Sequence, residues 1–234
     1  SDEMAYGPFR KEKQKQKREM TSSEIIKKNA LTWSIILAPC VFIAYNWTAF
    51  PDSVPIHFGI NGQPDRFGDK ASGLILLPAI NIGMYLLFAL LPLIDPRKKN
   101  YALFDGKFRM LRLFIHALLS FIAFVAALFA LGMIHDTSLL ISYGLVTFML
   151  LFGNYLSGVR SNFFIGFRTP WTLSNEQNWT QTHRFGGRLW VISSVIMLVL
   201  LTLFRESHWL LLPYICLLAL GPVTYSYYLF RKER

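Results

Sequence analysis

Charge is scarce in this chain. Only 16% of its 234 residues are Asp, Glu, Lys or Arg, against roughly a quarter in an average soluble domain. Its two cysteines, Cys40 and Cys216, both fall inside apolar runs, which argues against a disulfide framework or a cysteine-based metal site. A nucleophile elbow, a phosphate-binding glycine loop, an HExxH pair and an EF-hand loop are all missing. The chain is therefore not read as an enzyme, and neither a cofactor nor a metal is expected. It has no convincing internal repeat of the kind many transporters carry. The long apolar runs lack charge altogether, as expected where a central Arg, Lys or Asp costs about 2.5–3.5 kcal/mol on insertion scales.

Hydrophobic residues make up 53% of the chain, and they are clustered. Six runs, at 30–50, 73–94, 113–134, 139–156, 189–204 and 209–230, approach or reach the roughly 20 helical residues that cross a hydrocarbon core of about 30 Å. The fifth is short and is expected to borrow residues upstream. None alternates with period two, so barrel strands are excluded, and helices are left as the way to satisfy backbone groups in lipid. The expected fold is an all-α integral membrane protein with six transmembrane helices, the first an uncleaved anchor.

The formal net charge is +10, and its distribution is uneven. Of the 24 Lys and Arg residues, 21 lie in residues 1–29, 95–112 and 157–188 or in the tail after 230. Positive residues collect on the cytoplasmic side of membrane proteins, so both termini are expected inside. The charge is a topology signal rather than a nucleic-acid surface, and direct nucleic-acid binding is not expected. The organisation follows: a basic cytoplasmic arm at 1–29, two spans with an extracellular loop at 51–72 within 30–110, and four spans with a cytoplasmic loop at 157–188 within 111–234.

The extracellular loop, PDSVPIHFGINGQPDRFGDKAS, is rich in turn formers. Its candidate contact residues are His57, Asp65 and Asp69. Asp69 or Ser72 is expected to cap the second span, and Phe58 and Phe67 to pack the loop on the membrane surface. Asn81, in the middle of span two, needs a partner on a neighbouring helix. His116 reads as hydrogen-bonded packing in span three.

The cytoplasmic loop holds most of the polar chemistry of the second half. Thr169 followed by Pro170 fits a helix N-cap, and Ser174 with Gln177 fits a capping box opening a second helix. Trp179, His183, Gly186 and Trp190 then recur at helical spacing, as in a surface helix entering the fifth span, with Trp179 at the membrane interface. Gly186 and Gly187 allow close packing or a bend. Arg168, Thr172, Glu176, Asn178, His183 and Arg184 are expected to form a binding surface, in which Arg suits planar capture of a carboxylate or phosphate.

The stretch FIGFRTPWTLSNEQNWTQTHRFGG closely resembles the signature of the SdpI-like bacterial immunity membrane proteins. The matching positions are residues 165–173, Trp179 and residues 182–184, with Gly153 and Asn154 at the end of the preceding span. PDSVPIHFGINGQPDRFGDK is similar to a small uncharacterised domain that often precedes that region. The resemblance implies a six-helix protein of the bacterial plasma membrane conferring immunity to a secreted, membrane-active peptide toxin. In some systems it implies signalling as well, by holding a cytoplasmic repressor at the membrane. The family brings no settled catalytic residues. It marks Gly153, Asn154, Gly166, Arg168, Thr169, Pro170, Trp171, Thr172, Trp179, His183 and Arg184 as candidate binding or signature positions. The competing readings are an exporter of a peptide or lipid, motivated by Asn81 and His116 within spans, and a metal-assisted membrane enzyme using His57 or His183.

Orientation is testable in a Cys40→Ser, Cys216→Ser background. A cysteine introduced near residue 60 should react with an impermeant thiol reagent on intact cells, and one near residue 170 should react only after lysis. The reverse pattern would invert the topology.

Overall fold

The computed structural model describes residues 22–59, 63–204 and 207–233, with backbone only at 22–28 and 207–208. The chain divides into two units, Ser1–Ser34 and Ile35–Arg234. The first contributes the opening of helix α1 (Ser22–Tyr45). The second holds everything else. Strands β1 (Ser53–Phe58) and β2 (Pro64–Asp69) are followed by α2 (Lys70–Ile94), α3 (Tyr101–Ala130), α4 (Ser138–Leu156), the short α5 (Pro170–Ser174), α6 (Glu176–Leu203) and α7 (Leu211–Lys232).

Five of these helices are long and apolar enough to cross a membrane: α2, α3 with the 3-10 turn before it, α4, α6 and α7. The described apolar part of α1, Asn29–Tyr45, is shorter. Large side chains such as Leu86, Leu93, Val195, Ile196, Leu212 and Leu220 are exposed along the spans, as lipid-facing residues of a multi-pass membrane protein would be. Cys216 is among the outward-facing residues and Cys40 is half-buried, so neither is a core cysteine.

The expected spans differ from the helices mainly at their ends. The third helix begins at Tyr101 rather than 113, with non-helical geometry at Phe104; most of the basic connection after α2 is helical. The fifth does run upstream, as one helix from Glu176 to Leu203. At the other end of the bundle, the turn-rich loop is a β-hairpin. Ser53 pairs with Asp69 and Val54 with Gly68, with bulges on either side of His57. The fold is therefore not purely α. Strand pairing satisfies the backbone of a segment whose glycines and prolines prevent a helix. Val54 is fully buried against Leu74 and Ala127.

Asp69 caps α2 as expected. Its carboxylate accepts from Ser72 N at 2.9 Å and Ser72 Oγ at 2.6 Å, and these bonds, the hydroxyl first, hold its carboxyl below the usual range. Phe58 packs edge-on against Phe129 at 5.3 Å, and Phe67 is exposed.

Inside the bundle, Asn81 finds partners on α3. Its Nδ2 donates to Ser120 Oγ (2.9 Å) and to the His116 carbonyl (3.3 Å), and its Oδ1 meets His116 Nδ1 at 2.7 Å. Ser120 in turn donates to the Ile35 carbonyl. This buried chain joins α2 to α3, and α3 to the carbonyl of Ile35. Helices α4 and α6 approach closely at two glycines. A Cβ on Gly187 would lie 2.8 Å from the Gly153 carbonyl oxygen, and one on Gly153 would lie 2.6 Å from Trp190 Cβ. The expected role of Gly187 in close packing is thus met. Gly186 lies against the Phe167 ring.

Gly187→Ala should force these two backbones apart and destabilise the protein by about 1–3 kcal/mol. Thermal denaturation in detergent should show a clear loss relative to a Gly83→Ala control, where a Cβ meets nothing within 4 Å.

Candidate functional site

The segment between α4 and α5, residues 157–169, contains no regular secondary structure, yet Val159, Ser161, Asn162, Ile165 and Thr169 are buried. Backbone groups in such a segment need partners, and side chains supply many of them. Asn162 accepts from the amides of Phe164 and Ile165 and donates to the carbonyls of Arg160 and Ile165. Its amide thus uses both ends to fold a tight loop.

Gly166 has φ +111°, a conformation that disfavours side chains, and a Cβ there would run into His183 Nε2. This lets the next amide dock. Phe167 N–H donates to His183 Nε2 at 2.9 Å, and His183 Nδ1 lies 2.8 Å from the Trp179 carbonyl. With Nε2 accepting, Nδ1 must donate, so the ring is held as the neutral Nδ1–H tautomer. The Trp179 ring stacks on His183 at 4.1 Å and its indole N–H donates to the Val159 carbonyl at 2.9 Å. Trp179 is 1% exposed. It is therefore a buried post under the loop, not an aromatic belt residue at the membrane interface, because its N–H has a protein partner.

Thr169 caps α5. Thr172 N donates to Thr169 Oγ1 (3.1 Å), Thr169 N donates back to Thr172 Oγ1 (2.9 Å), and Thr172 Oγ1 donates to the Phe167 carbonyl (2.7 Å). Pro170 sits in the first turn, as expected. The cap of α6 falls one residue past the expected one. Asn175, not Ser174, accepts from Gln177 N and Asn178 N, while Ser174 Oγ donates to the Trp171 carbonyl. The assembly is tied to α7. Thr169 Oγ1 meets Ser226 Oγ at 3.0 Å, Asn178 Nδ2 donates to the Ser226 carbonyl, and Trp171 packs on Tyr227 at 5.0 Å.

A second tie comes from the α2–α3 connection. Asp95, 1% exposed, accepts from the amides of Arg97 and Phe163 and from the Tyr101 hydroxyl. Arg97 donates to Ser161 Oγ and to the Leu173 carbonyl, and lies over the Phe163 ring. Asn100 donates to the Ser161 carbonyl. Sequence reasoning passed over Asp95, Arg97, Asn100, Asn162 and Ser226. The available signal was Asp95 itself, a lone acid at the start of a basic run, before a proline.

The signature residues thus separate by exposure. Gly153, Thr169, Thr172, Trp179 and His183 are buried, and Gly166 is half-buried against His183. Asn154, Arg168, Pro170 and Arg184 are exposed, and Trp171 is half-buried. Thr172, Asn178 and His183 are engaged internally, which leaves Arg168, Glu176 and Arg184 as the outward groups of the expected binding surface. Arg168 donates to the Phe163 carbonyl. It is the charged member of an otherwise apolar recess of about 590 Å³, walled by Met84, Phe88, Leu111, Phe152 and Ile165.

Residues 158–226 match the SdpI/YfhL protein family. The matched segment takes in the loop, α5, α6 and most of α7. Residues 34–82 match a domain of unknown function, DUF1648, which takes in the hairpin. The chain is 27% identical over 208 residues to the immunity protein SdpI of Bacillus subtilis (strain 168), covering 89% of this chain and 98% of that protein. No solved structure matches.

The two candidate ends of the chain are chemically unlike. On the hairpin, His57 Nδ1 and Asp65 Oδ1 pair at 2.5 Å and are half-exposed, while Asp69 is committed to its cap. Among the described residues, no three His, Cys, Asp or Glu side chains gather as a metal site.

Thr172→Val, which keeps the shape and removes the hydroxyl, should strand the Thr169 amide and the Phe167 carbonyl. A loss of about 1–3 kcal/mol is expected, as is one of similar size for His183→Phe. Both should lower the midpoint of thermal unfolding in detergent, while exposed Arg160→Gln should leave it unchanged.

Proposed function

We propose that this chain is a membrane immunity protein that protects its host from a secreted, membrane-active peptide toxin. The observation that carries this reading is the likeness to the Bacillus subtilis immunity protein along nearly the full length of both chains. The proposed arrangement has six spans of the bacterial plasma membrane, with α1 as the sixth, and both termini in the cytoplasm. The concentration of 21 of 24 Lys and Arg residues outside the hairpin end supports it.

In this reading the toxin is met by the hairpin around His57, Asp65 and Asp69 or by the spans beneath it. The SdpI/YfhL loop faces the cytoplasm, where its outward groups bind a repressor protein and report occupancy. The hydrogen-bonded frame supports such a role because it presents Arg168 from a fixed backbone beside an apolar recess. An arginine in that setting suits a carboxylate on a partner whose neighbouring side chains are apolar.

Expression of the chain in a strain sensitive to a secreted membrane-active peptide should restore survival. Arg168→Ala should lose any repressor recruitment to the membrane at unchanged protein level, because its side chain holds only one surface carbonyl. Unchanged survival against several such peptides, with the protein verified in the membrane, would falsify the immunity reading.

A further inference from the structure

A basic cleft lies at the start of the signature loop, and none of its cationic side chains takes part in the hydrogen-bonded frame of that loop. It is a hollow of about 510 Å³ between the first turns of α3, the turn after α4 and α6. Lys107, Arg160 and Arg184 line it, each from a different segment. A neighbouring hollow of about 430 Å³ shares Ser157 and Arg184 and adds Arg188 and Asn154. All four cationic side chains are exposed, and none forms an ion pair with a carboxylate among the described residues. Asp105, the acid in the lining, is paired with Arg109 at 3.3 Å.

This arrangement works against itself unless an anion is present. Arg184 and Arg188 are one helical turn apart, a spacing at which like charges destabilise a helix. Gly158 brings its backbone against the Lys107 ammonium, and Gly187 draws the Arg-bearing face of α6 onto α4. The fold therefore gathers unneutralised positive charge from three segments around two hydroxyl- and amide-bearing residues, Ser157 and Asn154. The level in the bundle is equally specific. Helix α4 ends at Leu156, and the uncharged run of α6 begins after Arg188, so the cleft sits where apolar surface gives way to charge. Basic pockets between helices at that depth suit phospholipid head groups.

We propose that this double cleft binds a phosphate-bearing anion, with Arg184 and Arg188 gripping the phosphoryl oxygens and Lys107 and Arg160 closing on them from α3 and the loop. The ligand chemistry is a phosphate group, carried by a lipid head group or free in solution, and its binding is independent of whether the chain confers immunity.

The test is native mass spectrometry of the full chain in detergent, titrated separately with a phosphatidylglycerol, a phosphatidylcholine and inorganic phosphate. Phosphatidylglycerol should bind in preference to phosphatidylcholine, and the R184Q/R188Q variant should bind it about thirtyfold more weakly, from about 1 kcal/mol per basic residue near an anionic surface. An R231Q control in the α7 tail should bind like wild type. Inorganic phosphate that binds wild type and not R184Q/R188Q, with no lipid preference, supports phosphate recognition from a soluble source. Should R184Q/R188Q not fold, as judged by its unfolding midpoint, K107Q/R160Q replaces it and should weaken binding likewise. Equal binding of the two lipids with no phosphate binding, or full affinity in a folded variant, overturns the proposal. Toxin survival plays no part in this readout.

Discussion

An irregular segment packed into the end of a membrane bundle must find hydrogen-bond partners for backbone groups that neither a helix nor a strand will satisfy. In the 157–169 loop that requirement organises the surrounding residues. Asn162 closes the loop on itself, Trp179 and His183 receive it from below, and Thr169 with Thr172 ends it in a helix cap. Asp95 and Arg97 clamp it from the α2–α3 connection. Left unpaired, each buried group would cost on the order of 1–3 kcal/mol, so the loop is stable only as a complete set.

This accounts for a motif that looks chemical and proves largely architectural. Glycine at 166 is required twice, by a positive φ and by the approach of His183. Histidine at 183 is required because one ring nitrogen must accept while the other donates. Tryptophan at 179 fills the space under the loop and supplies one donor. What a partner can reach is the remainder: Arg168 beside its apolar recess, and Arg184 in the basic cleft. A rigid frame of this kind presents a few groups in fixed positions, which is how loops carry function on a scaffold.

The opposite end obeys the same constraint with different means. The proline- and glycine-rich segment pairs as a hairpin, and Asp69 closes it onto α2. Between the two ends, Asn81 and His116 join α2 to α3 where lipid offers no partner. The likeness to the Bacillus subtilis immunity protein runs along almost the whole chain and so takes in both ends.

Much was legible in the residues alone. Apolar runs of span length, the absence of charge within them and the uneven placement of Lys and Arg determined a helical, multi-pass membrane protein, because hydrocarbon tolerates little else. Local caps were also legible at Thr169 and Asp69, since a cap depends on residues three or four apart. The contacts of Asp95 with Phe163, Arg97 with Leu173, and Asn178 with Ser226 were not, because they join residues separated by dozens of positions. Trp179 looked like an interface residue by composition. Whether an indole N–H meets water or a carbonyl depends on what packs against it, and only the tertiary structure brought Val159 there.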